Sequence, residues 1–116
     1  MFNFQNCVNL AKQFKAIVIP YIYDRGMILA VDKPISDSDI VTGVHVKLPN
    51  NWTVSIQWGK SNYCSNRFEK PSNSCQDAEI AAWDRNQNWF DFDHDKVKGY
   101  CDFSEVEEFI SSISRL

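Results

Sequence analysis

Val44, Val46 and Leu48 alternate with His45 and Lys47, and shortly afterwards Trp52, Val54, Ile56 and Trp58 alternate with Thr53, Ser55 and Gln57. A period of two puts the apolar set on one face of a sheet and the polar set on the other. The loop between the two runs sets their phase. A two-residue loop at Asn50-Asn51 would set Leu48 against Thr53 and mix the faces. A three-residue loop, Pro49-Asn50-Asn51 with Asn51 left-handed, pairs Leu48 with Trp52, Val46 with Val54 and Val44 with Ile56. His45, Lys47, Thr53, Ser55 and Gln57 then share a face that is open to solvent or lines a site.

The remaining elements follow from similar signals. Phe4, Val8, Ala11 and Phe14 recur at helical spacing, which predicts a helix over about 3–15. Ala16 to Tyr23 is β-branched and aromatic, and Met27 to Val31 is apolar again, so a hairpin is expected with Asp24-Arg25-Gly26 as its loop, Gly26 left-handed and Tyr23 opposite Met27. Pro34 to Asp39 reads as a connector. Gly59 to Gln76 has no periodicity and is long for a connector in a compact domain, as functional loops often are. Ala78 to Trp83 and Asn88 to Phe92 predict a third hairpin turning at Arg85-Asn86-Gln87, with Ile80, Ala82, Phe90 and Phe92 on one face and Trp83 across from Trp89 on the other. At the C-terminal end, Asp102 with Glu105, or Ser104 with Glu107, matches a capping box ahead of an apolar stripe formed by Val106, Phe109, Ile110, Ile113 and Leu116. The expected fold is α+β: an antiparallel sheet of about six strands in three hairpins, with the N- and C-terminal helices on one face, forming a single domain over 1–116.

Composition agrees with a packed domain, with 44% hydrophobic and 23% charged residues in 116. No stretch approaches the roughly 18 apolar residues of a membrane span, and the N-terminal stretch lacks a basic leader with an apolar core. The expectation is a cytoplasmic protein with no membrane association, its cysteines at 7, 64, 75 and 101 reduced. In that setting the Asn51-Trp52-Thr53 sequon has no consequence. The net charge of −3 is unevenly placed: residues 61–116 carry six basic and eleven acidic side chains, and eight of those acids lie between Asp84 and Glu108. A patch of that sign disfavours direct duplex binding. It reads either as a solvated face or as a surface for a basic partner, with Asp91, Asp93 and Asp95 at its centre.

Sites for chemistry are few. Acids at 91, 93 and 95 followed by Asp102 echo a calcium loop, but Lys96 stands where its sharp turn needs glycine and Asp102 where a longer glutamate belongs. A zinc site could draw on Cys64, Cys75, Cys101 and His94, yet no local pair sits at chelating spacing, so neither metal nor other cofactor is expected. His45 and Ser55 are cross-strand neighbours, which allows an unassisted nucleophile pair. No Gly-x-Ser-x-Gly elbow or phosphate-cradling glycine loop accompanies it, so catalysis is not expected. The segment from Ser55 to Arg67 stands apart: Ser55, Gln57, Asn62, Ser65 and Asn66 offer donors and acceptors, Trp58 and Tyr63 stacking surfaces, and Arg67 a fork for carboxylate or phosphate. It is either a recognition surface or a loop whose side chains cap its own backbone.

The runs Val54-Ser-Ile-Gln-Trp-Gly59, Asn62-Tyr-Cys-Ser-Asn-Arg67, Ala78-Glu-Ile-Ala-Ala-Trp-Asp84, Trp89-Phe-Asp-Phe92 and Val97-Lys-Gly-Tyr100 resemble small uncharacterised proteins encoded by bacterial viruses, over about 42–116. Gln87 stands where a turn glycine is expected. The resemblance implies a non-enzymatic accessory factor that antagonises host defence, as an anti-CRISPR inhibitor does, by binding a host protein or complex that processes nucleic acid. Sequestration of a small nucleotide-like signal, through Gln57, Tyr63, Asn66 and Arg67, is the alternative, and a structural or regulatory viral protein a further one. Unpaired edge strands leave a homo-oligomer open.

Overall fold

A computed structural model describes residues 1–24, 27–30, 35–59 and 62–116. The described chain runs α1 (Phe4–Lys12), β1 (Ile17–Asp24), β2 (Met27–Ala30), β3 (Ile40–Lys47), β4 (Thr53–Gln57), β5 (Ala78–Trp83), β6 (Lys98–Cys101) and α2 (Phe103–Ser114). All strand pairs are antiparallel, and they build one six-stranded sheet in the order β2-β1-β3-β4-β5-β6. The expected α+β class and strand number hold.

The central hairpin has the register that alternation demands. Val46 pairs with Val54 and Val44 with Ile56, the Leu48 N–H donates to the Trp52 carbonyl at 2.9 Å, and Asn51 turns the loop with φ of 71°. β5 extends the buried face, with Ala82 beside Val54 and Ile80 beside Ile56. Those side chains form the core together with Cys7, Leu10 and Ala11 of α1 and Val106, Ile110 and Ile113 of α2. Both helices therefore cover one face of the sheet. Asn3 caps α1 through its side-chain oxygen, and Asp102 with Glu105 completes the capping box of α2.

Four details differ from the sequence expectation. In α1 the buried stripe is Cys7, Leu10 and Ala11, with Phe4 and Phe14 packed beside it and Val8 only half-buried. In the first hairpin Asp24 stays in the ladder opposite Met27, so Tyr23 faces Ile28; Arg25 and the expected left-handed Gly26 lie outside the described residues, as do Val31 and Pro34 of the predicted strand end and connector. Leu116 falls off the stripe of α2 and is exposed.

The fourth is the largest. Asn88 to Phe92 is not a strand: beyond the Trp83–Trp89 bridge, with bonds from the Asp84 N–H to the Asn88 carbonyl and from the Phe90 N–H to the Ala82 carbonyl, the chain turns away through left-handed Asp93 and His94. The rest of that edge of β5 is taken by Lys98–Cys101, which becomes the sixth strand. Phe90 and Phe92 nevertheless reach the expected side, where both rings pack on Phe109 of α2 at 5.1 and 5.2 Å.

Candidate functional site

β6 meets β5 through a bulge: Ala78 pairs with Cys101 and Ile80 with Lys98, so Gly99 and Tyr100 together oppose Glu79. Tyr100 is left-handed, with φ of 56°, and its N–H donates to the Tyr63 carbonyl at 2.8 Å. The 62–68 segment is thereby docked on β6. A second tie comes from the Glu79 carboxylate, which accepts the Tyr63 N–H at 2.8 Å. Gly99 permits the close approach, because a Cβ there would stand 2.5 Å from Cβ of Tyr63.

The eight residues proposed from sequence as a recognition segment are placed in different settings. Trp58 is wholly buried, its ring near Phe2 at 6.2 Å and its indole N–H donating to the Ser72 carbonyl at 3.2 Å. Asn62 and Asn66 are buried too. Asn62 donates to the Trp58 carbonyl, while Asn66 accepts from the Gly59 N–H at 2.8 Å and donates to the Ser74 carbonyl. These three side chains are turned inward and hold the loop together, because a buried loop backbone needs internal partners once water is excluded. Ser65 is exposed but bonded to Asp77 through both its N–H and its hydroxyl. Lys60 and Ser61 lie outside the described residues.

Tyr63 is exposed and Arg67 half-buried against it, and they bring with them a residue the sequence reading did not single out. The Arg67 guanidinium lies over the Tyr63 ring at 4.3 Å and within 5.3 Å of the Phe68 ring. Phe68 is 90% exposed, Tyr63 44% and Tyr100 56%. An aromatic ring inside an otherwise polar loop was the signal available for Phe68; Tyr100 offered none, since its exposure depends on the bulge. Next to this cluster, Gly99 also borders an open groove of about 450 Å³ shared with Phe92, Asp93, Asp95, Val97 and Lys98. Asp91, Asp93 and Asp95 are all exposed, and Asp91 accepts the His94 N–H. Tertiary structure thus sets the polar loop and the acidic turn on either side of Gly99.

On the sheet face opposite the helices Ser55 is buried and Gln57 half-buried. The Gln57 amide donates to the Ser55 hydroxyl at 3.1 Å, beside a cleft of about 130 Å³ that Tyr21, Glu79, Trp83 and Trp89 also line. Pockets for drug-sized ligands run to roughly 300–1,000 Å³, so this cleft is too small for a nucleotide. His45 lies on the same face. Its Nε2 is engaged by the Tyr21 hydroxyl, and its ring meets Trp83 edge-on at 5.0 Å, with Trp83 and Trp89 4.8 Å apart. Ser55 is hydrogen-bonded to Gln57, not to His45, so the pair lacks the bond by which a base activates a hydroxyl. Burial, with a smaller push from the Lys47 charge, lowers His45 from its usual 6.5 to about 4.

That shift has a consequence for stability. The unfolded imidazole takes up a proton near pH 6.5 and the folded one only near 4, so stability is full above the upper value and falls as the pH drops through this window. Solvent screening at a half-buried ring reduces the effect to about 1–2 kcal/mol. Urea unfolding at about pH 7 and pH 4.5 should show a smaller acid loss in His45→Gln than in the wild type. An equal loss in both would transfer the effect to other groups.

Among the described residues no helix is long and apolar enough to cross a membrane. Comparison with protein-family models, with curated proteins and with solved structures gives no match to the chain.

Proposed function

We propose that the protein works by occupying a partner's surface and not by catalysis, as a cytoplasmic accessory factor of bacterial-virus type that blocks a basic, nucleic-acid-processing host complex in the manner of an anti-CRISPR inhibitor. The observation that carries this reading is the half-buried Arg67 guanidinium stacked over the exposed Tyr63 and Phe68 rings, on a loop docked at Gly99, which also borders the groove lined by Asp93 and Asp95. Tyr and Arg are the side chains that most often anchor protein interfaces, and a ring as exposed as Phe68 costs free energy until a partner covers it. The acidic rim favours a partner whose own surface is basic, since complementary charge speeds encounter and fixes register.

Inhibition of target-DNA cleavage by purified CRISPR effector complexes tests the proposal. Phe68→Ala and Arg67→Ala are each expected to weaken inhibition about 10- to 100-fold, mainly through faster dissociation. Charge reversal at Asp91, Asp93 and Asp95 should slow association and flatten its salt dependence. Inhibition by the wild type that none of these changes alters would remove this surface from the account. A rise in melting temperature with a nucleotide in place of a protein partner would favour sequestration of a small signal.

A further inference from the structure

Cys64 and Cys75 lie far from any chelating spacing in the sequence, yet the fold brings their sulfurs and a carboxylate oxygen of Asp77 within 4.8 Å of one another. Cys64 is 1% exposed and Cys75 6%, and both are free thiols. We propose that Cys64, Cys75 and Asp77 form a binding site for zinc or a similar thiophilic divalent cation, supplying three ligands and leaving a fourth vertex for water. Nothing in this assignment depends on the partner surface proposed above.

The donor set selects the ion. Two sulfurs and one oxygen suit zinc, whereas calcium and magnesium take oxygen ligands only. A tetrahedral zinc site with Zn–S near 2.3 Å and Zn–O near 2.0 Å needs its ligand atoms about 3.5–3.8 Å apart. The Cys75 sulfur already stands 3.6 Å from Oδ1 of Asp77. The other separations, none above 4.8 Å, exceed that spacing by about 1 Å at most.

Each ligand is also held from behind. The Gly59 N–H points at the Cys64 sulfur at 3.1 Å, a bond that favours the thiolate. Paired backbone bonds with Phe2 fix Cys75, at 2.7 and 3.0 Å. The Ser65 hydroxyl donates to Oδ2 of Asp77, and its N–H to Oδ1, which orients the carboxylate as outer-shell partners of metal ligands do. Cys101 and His94, the other candidates from sequence, are not members of the cluster.

Binding would release one proton from each thiol to solvent as two metal–sulfur bonds form. Because each thiol gives up its proton on binding, affinity should climb with pH. The ion would join the exit of β4 to the entry of β5 and clamp the loop between them.

Cobalt is the direct probe. The full chain, reduced and stripped of metal with a chelator, is expected to bind one equivalent of cobalt with sulfur-to-metal charge-transfer bands and the visible bands of tetrahedral coordination, and zinc should bleach both. Cys64→Ser and Cys75→Ser should each weaken binding at least about 100-fold, and Asp77→Asn about 10- to 100-fold. A Cys7→Ser, Cys101→Ser double variant should keep the spectrum. If a serine variant fails to fold, Asp77→Asn carries the comparison, because it preserves shape. A cobalt spectrum without sulfur bands, binding that all the variants share with the wild type, or a reduced protein that binds neither cobalt nor zinc would overturn the assignment.

Discussion

Trp58→Ala is expected to destabilise the protein by about 3–5 kcal/mol, measured as a fall in the urea midpoint at unchanged slope. The indole is the largest of the fully buried side chains and lies at the exit of β4, between Phe2 of the N-terminal segment and the 72–75 stretch. Truncation removes its apolar area, opens a cavity, and leaves the Ser72 carbonyl without the indole N–H. Trp58→Phe separates these contributions. It keeps most of the ring surface and loses the hydrogen bond, so a cost of only about 1–2 kcal/mol is expected. A near-neutral Trp58→Ala would mean that the ring is not packed in the core.

Gly99→Ala is expected to cost about 1–3 kcal/mol and, beyond stability, to free the docked loop. The added methyl would meet Cβ of Tyr63 at 2.5 Å and the Tyr63 carbonyl oxygen at 3.0 Å. Neither atom is the tip of a flexible side chain, so the 62–68 segment must lift from β6. The bond from the Tyr100 N–H to the Tyr63 carbonyl should then open, and hydrogen exchange at the Tyr100 amide should accelerate well before global unfolding. Because Tyr63, Arg67 and Phe68 ride on this segment, partner binding should weaken by more than the loss of stability alone would cause. Unchanged exchange at Tyr100 would show that the loop does not depend on Gly99.

Both experiments turn on contacts that local pattern could not disclose. Trp58 carried two conflicting signals in the sequence. Its place in the alternation Trp52, Val54, Ile56, Trp58 assigned it to the buried face, while its neighbours in the polar loop suggested a stacking surface. The alternation proved the better guide, because strand phase is a geometric constraint and an aromatic side chain near polar residues is not. Asn62 and Asn66 met the same fate for a related reason. Amides in a long loop either meet a ligand or satisfy the loop's own backbone, and only the path of the chain around Gly59 decides between them. Tyr63 is exposed, while Arg67 is half-buried and stacked on the Tyr63 ring.

The third hairpin shows where periodicity stops. Trp83 faces Trp89 as the pattern predicted, but left-handed Asp93 and His94 end the pairing, and a short segment containing Lys98 and Gly99 becomes the last strand. Four residues of mixed character carry too little alternation to be read as a strand.

From sequence alone came the α+β class, the phase of the central hairpin and its left-handed Asn51, a capping box at either Asp102 or Ser104, and the acidic run from 91 to 95. All of these rest on residues within a few positions of one another, where backbone geometry ties neighbours to known faces and turns. Tertiary structure alone decided the sixth strand, the burial of Asn62 and Asn66, the stacking of Arg67 on Tyr63 and Phe68, and the meeting of Cys64, Cys75 and Asp77. Those depend on how the 59–77 loop packs against the sheet and the N-terminal segment, and contacts made across such distances along the chain leave no period for a reader to find.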